Sequence, residues 1–314
     1  MRITCLSGLT QEIAEQINLL KEQCEAQDNV ALKLEIPYRL AASGRIEDQI
    51  SFAFDENLSQ WEAYRKEHHI KYTDFLCMDE EMLVGYIGIC NFGNMPIEVN
   101  GMVMPKYRRK GIFGKLFKYV CVEWHQLENQ GLLLLTDQKA TAGQAFVKTQ
   151  SCEYSHTEYE MILDLTKRQD IFKGSVTLRA ATSQDVQEIA YQNSLYNFCD
   201  YDEALTLDPE EEAKRGMFIY MAMHHHKIVG KVHTQIDKLS GGIFGLGVVP
   251  SYRKKGFGRI ILQRAIDMIL EKNVKHIYLQ VEASNQNALD LYTSSGFYVV
   301  SAMDYFLFNR GKRH

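Results

Sequence analysis

The chain has 314 residues, of which 46% are hydrophobic and 24% charged, and a formal net charge of -5. That length accommodates two domains of ordinary size, and the composition is that of a globular chain, not a disordered or fibrous one. The acidic balance argues against a surface devoted to nucleic acid. No apolar run in the chain approaches the roughly 20 residues that span a bilayer, so no membrane-spanning helix is expected within it.

The opening "MRITCLSGLTQEIAEQ" lacks the apolar stretch of a secretion signal, so a cytoplasmic location is expected. The seven cysteines, 5, 24, 77, 90, 121, 152 and 199, form no CxxC pair and are odd in number. Scattered thiols in a reducing compartment fit this better than a disulfide framework or a zinc ribbon. After a strand-like start at about Arg2 comes a long helical arm. The strand "LVGYIG" around Gly85 and the turn "VMPKYRRKGIFGK" at 103–115 follow. Leu116, Phe117, Val120, Cys121 and Trp124 then make the apolar stripe of a helix buried on one face. "LLLLTD" (132–137) reads as a buried strand and "AFVKTQSC" (145–152) as a short helix end. The polar "TKRQDIFKGS" (166–175) reads as a linker.

Beyond the linker the pattern returns. Gly85, Pro105, Arg108 and Gly111 each find the same residue type 145 positions later, at Gly230, Pro250, Arg253 and Gly256. The helical stripe recurs as Ile261, Leu262, Ala265, Ile266 and Ile269, and "LLLLTD" recurs as "IYLQVE" (277–282). Self-similarity at one fixed offset marks a duplicated domain, so two tandem domains are expected, at residues 1–165 and 175–314. The second reads as strand 176–180, helices 183–214, and strands near 217–223, 227–237 and 242–249. Helix 256–272, strand 276–281, helix 285–294 and a last strand 297–308 complete it. This order predicts an α/β (α+β) fold, each domain a mixed, mostly antiparallel central sheet flanked by helices. "HHH" at 224–226 falls between two β-rich runs with no further ligand at metal spacing, which points to a hairpin turn.

In "VVPSYRKKGFGR" (248–259) an apolar run ends at Pro250 and a helix pattern begins within a few residues. A strand entering a helix through a glycine turn aims successive backbone N–H groups and the positive end of the helix dipole at one point. That is an anion site, suited to a phosphate or pyrophosphate. Gly256 and Gly258 let the backbone approach, and Arg253, Lys254 and Lys255 add charge. The Walker sequence is absent, and "GLGVVP" (245–250) lacks the third glycine of a dinucleotide fingerprint.

About thirty residues further on stands "NQNALDLYTSSGF" (285–297). The two stretches together resemble the GNAT superfamily of acyl-CoA-dependent N-acyltransferases. "RKKGFG" matches that family's R-x-x-G-x-G/A pyrophosphate loop. Asn285, Ala288, Leu291, Tyr292, Gly296 and Phe297 match its N-x-x-A-x-x-L-Y-x-x-x-G-F segment. The resemblance covers most of residues 176–308 and, more weakly, the first copy.

The resemblance implies transfer of an acetyl group from acetyl-CoA to a primary amine of a small molecule or peptide, with no metal. It implies that the backbone of Arg253, Lys254, Lys255, Gly256, Phe257 and Gly258 holds the pyrophosphate. Leu246 and Val248 would pair with the pantetheine arm, and Asn285 would cap the next helix and touch the cofactor. Tyr292 would protonate the departing thiolate, since a phenol of pKa about 10 keeps its proton at neutral pH.

Relatives often carry a base on the strand before the loop, but "GIFGLGVV" has no titratable side chain. Glu282 and His233 are the leading substitutes, and Asp200, Asp202 and Glu203 lie in the arm that closes over substrates in this fold. In the first copy Phe113, Ala140 and Val147 stand where the second has Gly258, Asn285 and Tyr292. That copy is therefore expected to keep the fold without turnover, its phosphate turn blocked by Phe113. A non-catalytic acyl-CoA-binding or sensing protein is the competing reading. The sequence is compatible with homo-oligomers and names no acceptor.

Overall fold

The structure is a computed structural model, and it describes residues 1–42, 48–56, 58–68, 70–91, 95–126, 131–167, 176–196, 205, 207–214, 216–237 and 239–309. They divide into two compact units, Met1–His156 with Met303–His314, and Thr157–Ala302. The first half of the chain supplies β1 (Arg2–Leu6), α1 (Gln11–Asp28), α2 (Ile36–Ala42), β2 (Gln49–Ala53), α3 (Ser59–Glu67) and β3 (Asp74–Asp79). It continues with β4 (Met82–Cys90), β5 (Ile97–Val103), α4 (Ile112–Trp124), β6 (Leu132–Asp137), α5 (Thr141–Thr149) and β7 (Cys152–Leu163). The second half supplies β8 (Val176–Ala180), α6 (Val186–Leu195), α7 (Pro209–Lys214), β9 (Met217–His224) and β10 (Lys227–Asp237). It ends with β11 (Ser240–Val248), α8 (Phe257–Leu270), β12 (His276–Glu282), α9 (Gln286–Thr293) and β13 (Phe297–Phe308).

Within the first unit the strands lie in the order β2, β1, β3, β4, β5, β6, followed by the Met303–Phe308 part of β13. Within the second the order is β8, β9, β10, β11, β12, followed by the Glu158–Ile162 part of β7. Among the described residues, the pairings within each unit are antiparallel except β5 with β6 and β11 with β12. Those two parallel pairs are the ones joined by a crossover helix, α4 or α8, as a parallel connection requires. The sheets are thus mixed and mostly antiparallel, as the sequence predicts. The compact units depart from the repeat boundaries at the closing strands: Thr157–Leu163 falls in the second unit and Met303–Phe308 in the first.

The apolar stripes bury as expected. Ile261, Leu262, Ala265, Ile266 and Ile269 of α8 are each at most 1% exposed, and α4 buries Leu116, Phe117, Val120 and Trp124, while Cys121 of the predicted stripe is only half-buried. Each such Ile or Leu contributes roughly 1.5–3 kcal/mol by leaving water. This burial fixes α8 on the sheet, and with it the position of the glycine turn at its N-terminus. The histidine run forms the β9–β10 hairpin, with positive φ at both His225 (45°) and His226 (63°), the backbone of a two-residue type I′ turn. No helix among the described residues is long and apolar enough to cross a membrane.

Candidate active site

The site grows from a parting of two strands. β11 and β12 pair only through Ser240–Ile243 and His276–Leu279, although β11 runs on to Val248 and β12 to Glu282. Beyond Ile243 the two strands open a wedge toward their C-terminal ends, and the edge of β11 facing it can pair with an extended ligand. A β-bulge begins the parting. The β10–β11 register slips between Lys231, opposite Gly247, and His233, opposite Phe244, and Gly245 takes a φ of +52°. Such a bulge bends its strand and re-aims its backbone groups.

At the mouth of the wedge lies the glycine turn. Pro250–Tyr252 make one 3₁₀ turn, Lys254 has φ +59°, and Gly256 sits at φ +80°, ψ −2° as the residue before α8. No side chain caps this helix start, so its first N–H groups remain for a ligand. A Cβ added to Gly256 would meet nothing within 4 Å, so it is the left-handed backbone that calls for glycine there. Arg253 is anchored by its Nε, which donates to the Val248 carbonyl at 2.9 Å. Lys255 Nζ donates to the Ser251 carbonyl at 2.9 Å.

Gly258 is where the pieces meet. A Cβ there would lie 3.5 Å from Leu291 of α9 and 3.6 Å from Val248 of β11. The end of the strand, the turn and the second motif helix therefore converge on one residue. Arg259 fastens the same corner by donating to the carbonyl and hydroxyl oxygens of Ser294. Asn285 caps α9, its side chain accepting from the Ala288 N–H at 3.2 Å. Tyr292, in the last turn of that helix, is 8% exposed, and burial pushes its phenol up to about 12.

Residues 183–297 match the profile of the acetyltransferase (GNAT) family. They form a GNAT acetyltransferase domain. Over 64 residues, 20% of this chain, it is 38% identical to the ribosomal protein bS18-alanine N-acetyltransferase of Escherichia coli strain K12. That stretch spans 43% of the relative's length. Among solved structures, a GCN5-related N-acetyltransferase from Sphaerobacter thermophilus aligns over 97% of this chain and 95% of its own, with a TM-score of 0.68 and 15% identity. A tandem GNAT protein from the clavulanic acid biosynthesis pathway aligns over 100% of both chains, with a TM-score of 0.67 and 12% identity. At these identities the likeness establishes the fold, and it does so along the whole chain.

In the GNAT domain the residues proposed for proton transfer lie on different elements. Glu282 is exposed at the end of β12, where the Ser284 hydroxyl donates to it. His233 lies on β10 beside the bulge, its Nε2 3.1 Å from Lys231 Nζ, which also donates to the Gly245 carbonyl at 3.2 Å. Lysine has only donors, so His233 accepts through Nε2. Burial, and after it the Lys231 charge, hold the imidazole well below its usual range. Asp200, Asp202 and Glu203 lie outside the described residues. Among those described, no group of His, Cys, Asp and Glu is placed to hold a metal.

The His233 shift carries a sign that can be tested. The unfolded imidazole takes a proton near pH 6.5 while the folded one does not, so this residue's contribution to stability is lost as pH falls from about 6.5. Lys231→Met removes the smaller of the two causes. The His233 pKa, followed by the NMR shift of its ring protons, is expected to rise yet stay below 6.5. An unchanged value would show that Lys231 is not charged beside it.

Two contacts of the GNAT domain were not foreseen in the sequence. The ring of Tyr196 lies over Gly247, where an added Cβ would come within 2.0 Å of its Cε2, and the Arg253 guanidinium sits 5.8 Å from the ring centre. Lys231 is wholly buried under the bulge. A glycine inside a strand signals close approach, so Gly247 was the available clue to Tyr196. Nothing local marks Lys231.

The first copy keeps the same turn. Gly111 (φ 77°, ψ 3°) and Arg108 (φ −66°, ψ 161°) match Gly256 and Arg253 (φ −64°, ψ 161°), and Arg109 has φ +63°. Arg108 Nε likewise reaches a strand-end carbonyl, that of Val103, at 3.0 Å. Two things differ. The β4–β5 register runs unbroken from Gly85–Val103 to Cys90–Glu98, without a bulge, and Ala140 leaves α5 without a side-chain cap. Phe113 packs edge-on against Phe146, ring centres 4.7 Å apart, and Glu98 pairs with Lys33 at 3.5 Å.

Proposed function

We propose that the second copy transfers an acetyl group from acetyl-CoA to a primary amine by direct attack on the thioester. The observation that carries this reading is the convergence at Gly258 of the β11 end, the uncapped turn and α9. A phosphate bound at this corner would stand at the mouth of a wedge suited to an extended arm. In this reading the N–H groups of Arg253 to Gly258 hold the pyrophosphate, and Leu246 and Val248 pair with the pantetheine. The bulge offers a backbone donor where charge develops on the thioester oxygen. Nitrogen bonds to the acyl carbon, the carbon–sulfur bond breaks, and Tyr292 gives its proton to the thiolate. Glu282, open to solvent, is better placed than His233 to take the amine's proton, since Lys231 occupies His233 Nε2.

The bulge, Gly247 and Tyr292 are features a mere binding module does not need. The competing reading, an acyl-CoA binder without turnover, is favoured by one observation, the lack of any carboxylate on β11. The two separate in one assay. Full-length protein with acetyl-CoA and a panel of small and peptide amines should release free thiol at a rate that depends on the amine. Saturable acetyl-CoA binding with no amine-dependent release would support the binding module instead.

A further inference from the structure

In the first unit β5 and β6 also part, pairing only through Ile97–Val99 and Leu132–Leu134. A cavity of about 520 Å³ lies beyond, within the range of small-molecule pockets. Its chemistry is different from that of the second copy. Phe113, Ala140 and Val147, which stand where the second copy has Gly258, Asn285 and Tyr292, all line it, so each exchange makes its wall more apolar. One end is strapped by the segment after α1. Ala31 N–H donates to Asp137 at 3.1 Å, and the Lys33 carbonyl accepts from Asn100 at 2.8 Å, bridging the end of β6 and the middle of β5. Val30 and Leu32 of this strap face the cavity.

At the other end one of the two lining arginines, Arg108, is neutralised from within, while Arg109 stands beside it. Arg108, the counterpart of Arg253, donates both terminal guanidinium nitrogens to Asp28, at 2.8 Å each. A bidentate pair of this kind satisfies the cation, and a diphosphate entering the turn would meet the Asp28 carboxylate. An apolar concavity of this size, left in water, carries the full cost of its hydration. We propose that the first unit binds an uncharged ligand built on a single alkyl or acyl chain in this cavity, and not a nucleotide diphosphate. The inference stands on the first unit alone and does not depend on catalysis in the second.

Nile red, an uncharged apolar dye, serves as the probe with the full chain. Its emission is expected to rise saturably, and decanol is expected to displace it while coenzyme A at saturating concentration does not. Two variants place the site. A Cβ at Gly114 would meet nothing within 4 Å, and Ala145 is an exposed wall residue, so Gly114→Phe and Ala145→Trp fill the cavity from positions that do not disturb the core. Either variant, folded by circular dichroism, should weaken the dye and decanol at least tenfold and leave thiol release unchanged. Displacement of the dye by coenzyme A would overturn the proposal. So would the absence of saturable dye binding, or unaltered affinity in both variants.

Discussion

Gly258→Phe is expected to raise the dissociation constant of coenzyme A about 100-fold or more while the protein stays folded. The substitution gives the second turn the residue that the first turn carries, Phe113. The added Cβ meets Leu291 and Val248 only at ordinary contact distance, 3.5 and 3.6 Å, so the fold admits it. The ring then competes with the ligand for the space above the helix N-terminus. Loss of two charge-assisted hydrogen bonds, at about 1.5 kcal/mol each, corresponds to that factor. Gly258→Ala is the control, because a methyl group fits the same gap and should cost less than tenfold. Calorimetric titration decides the matter. Equal affinities of the Phe variant and wild type would remove the turn from the binding site.

Tyr292→Phe is expected to lower kcat by 10²–10⁴ and to leave the affinity for coenzyme A unchanged, the signature of a lost general acid. The phenol, pushed up to about 12 by burial, stays protonated throughout the working range. The wild-type rate should therefore show no loss attributable to this group as pH rises to 10. The same shift has a consequence for stability. Above pH 10 the unfolded phenol ionises and the buried one does not, so the unfolded state binds fewer protons and stability falls as pH rises from about 10 to about 12. The Phe variant should lack that part of the alkaline decline. A variant that turns over as fast as wild type would exclude Tyr292 as the acid.

The architecture was legible where it is written in local pattern. The period of the α4 and α8 stripes, the strand-turn-helix at 248–259 and the fixed spacing of 145 residues each depend on neighbours in sequence. So does the Asn285 cap. What stayed hidden depends on partners far along the chain. The alternation in Thr157–Leu163 and Met303–Phe308 serves equally well beside either sheet, so nothing local tells that these strands enter the units they do. The bulge at Gly245 comes from one residue of slippage against β10, and a strand's own pattern does not reveal its partner's register. Lys231 reads as a surface cation by type and is wholly buried in fact, because the bulge turns the Gly245 carbonyl to meet it.

The first copy shows the same limit from another side. Phe113 reads in sequence as an obstruction in a phosphate turn; the turn around it keeps the backbone of its counterpart, and the ring rests on Phe146. Arg108 keeps its anchor on the Val103 carbonyl and gains Asp28 as an internal counter-ion.

The central claim, that the Arg253–Gly258 turn holds the pyrophosphate and its Arg108–Phe113 counterpart does not, is tested most directly by backbone hydrogen exchange. With saturating coenzyme A, amides in residues 250–262 should exchange at least tenfold more slowly, and those in residues 105–117 should exchange as in the free protein. Slowing at 105–117, or none at 250–262, would contradict it.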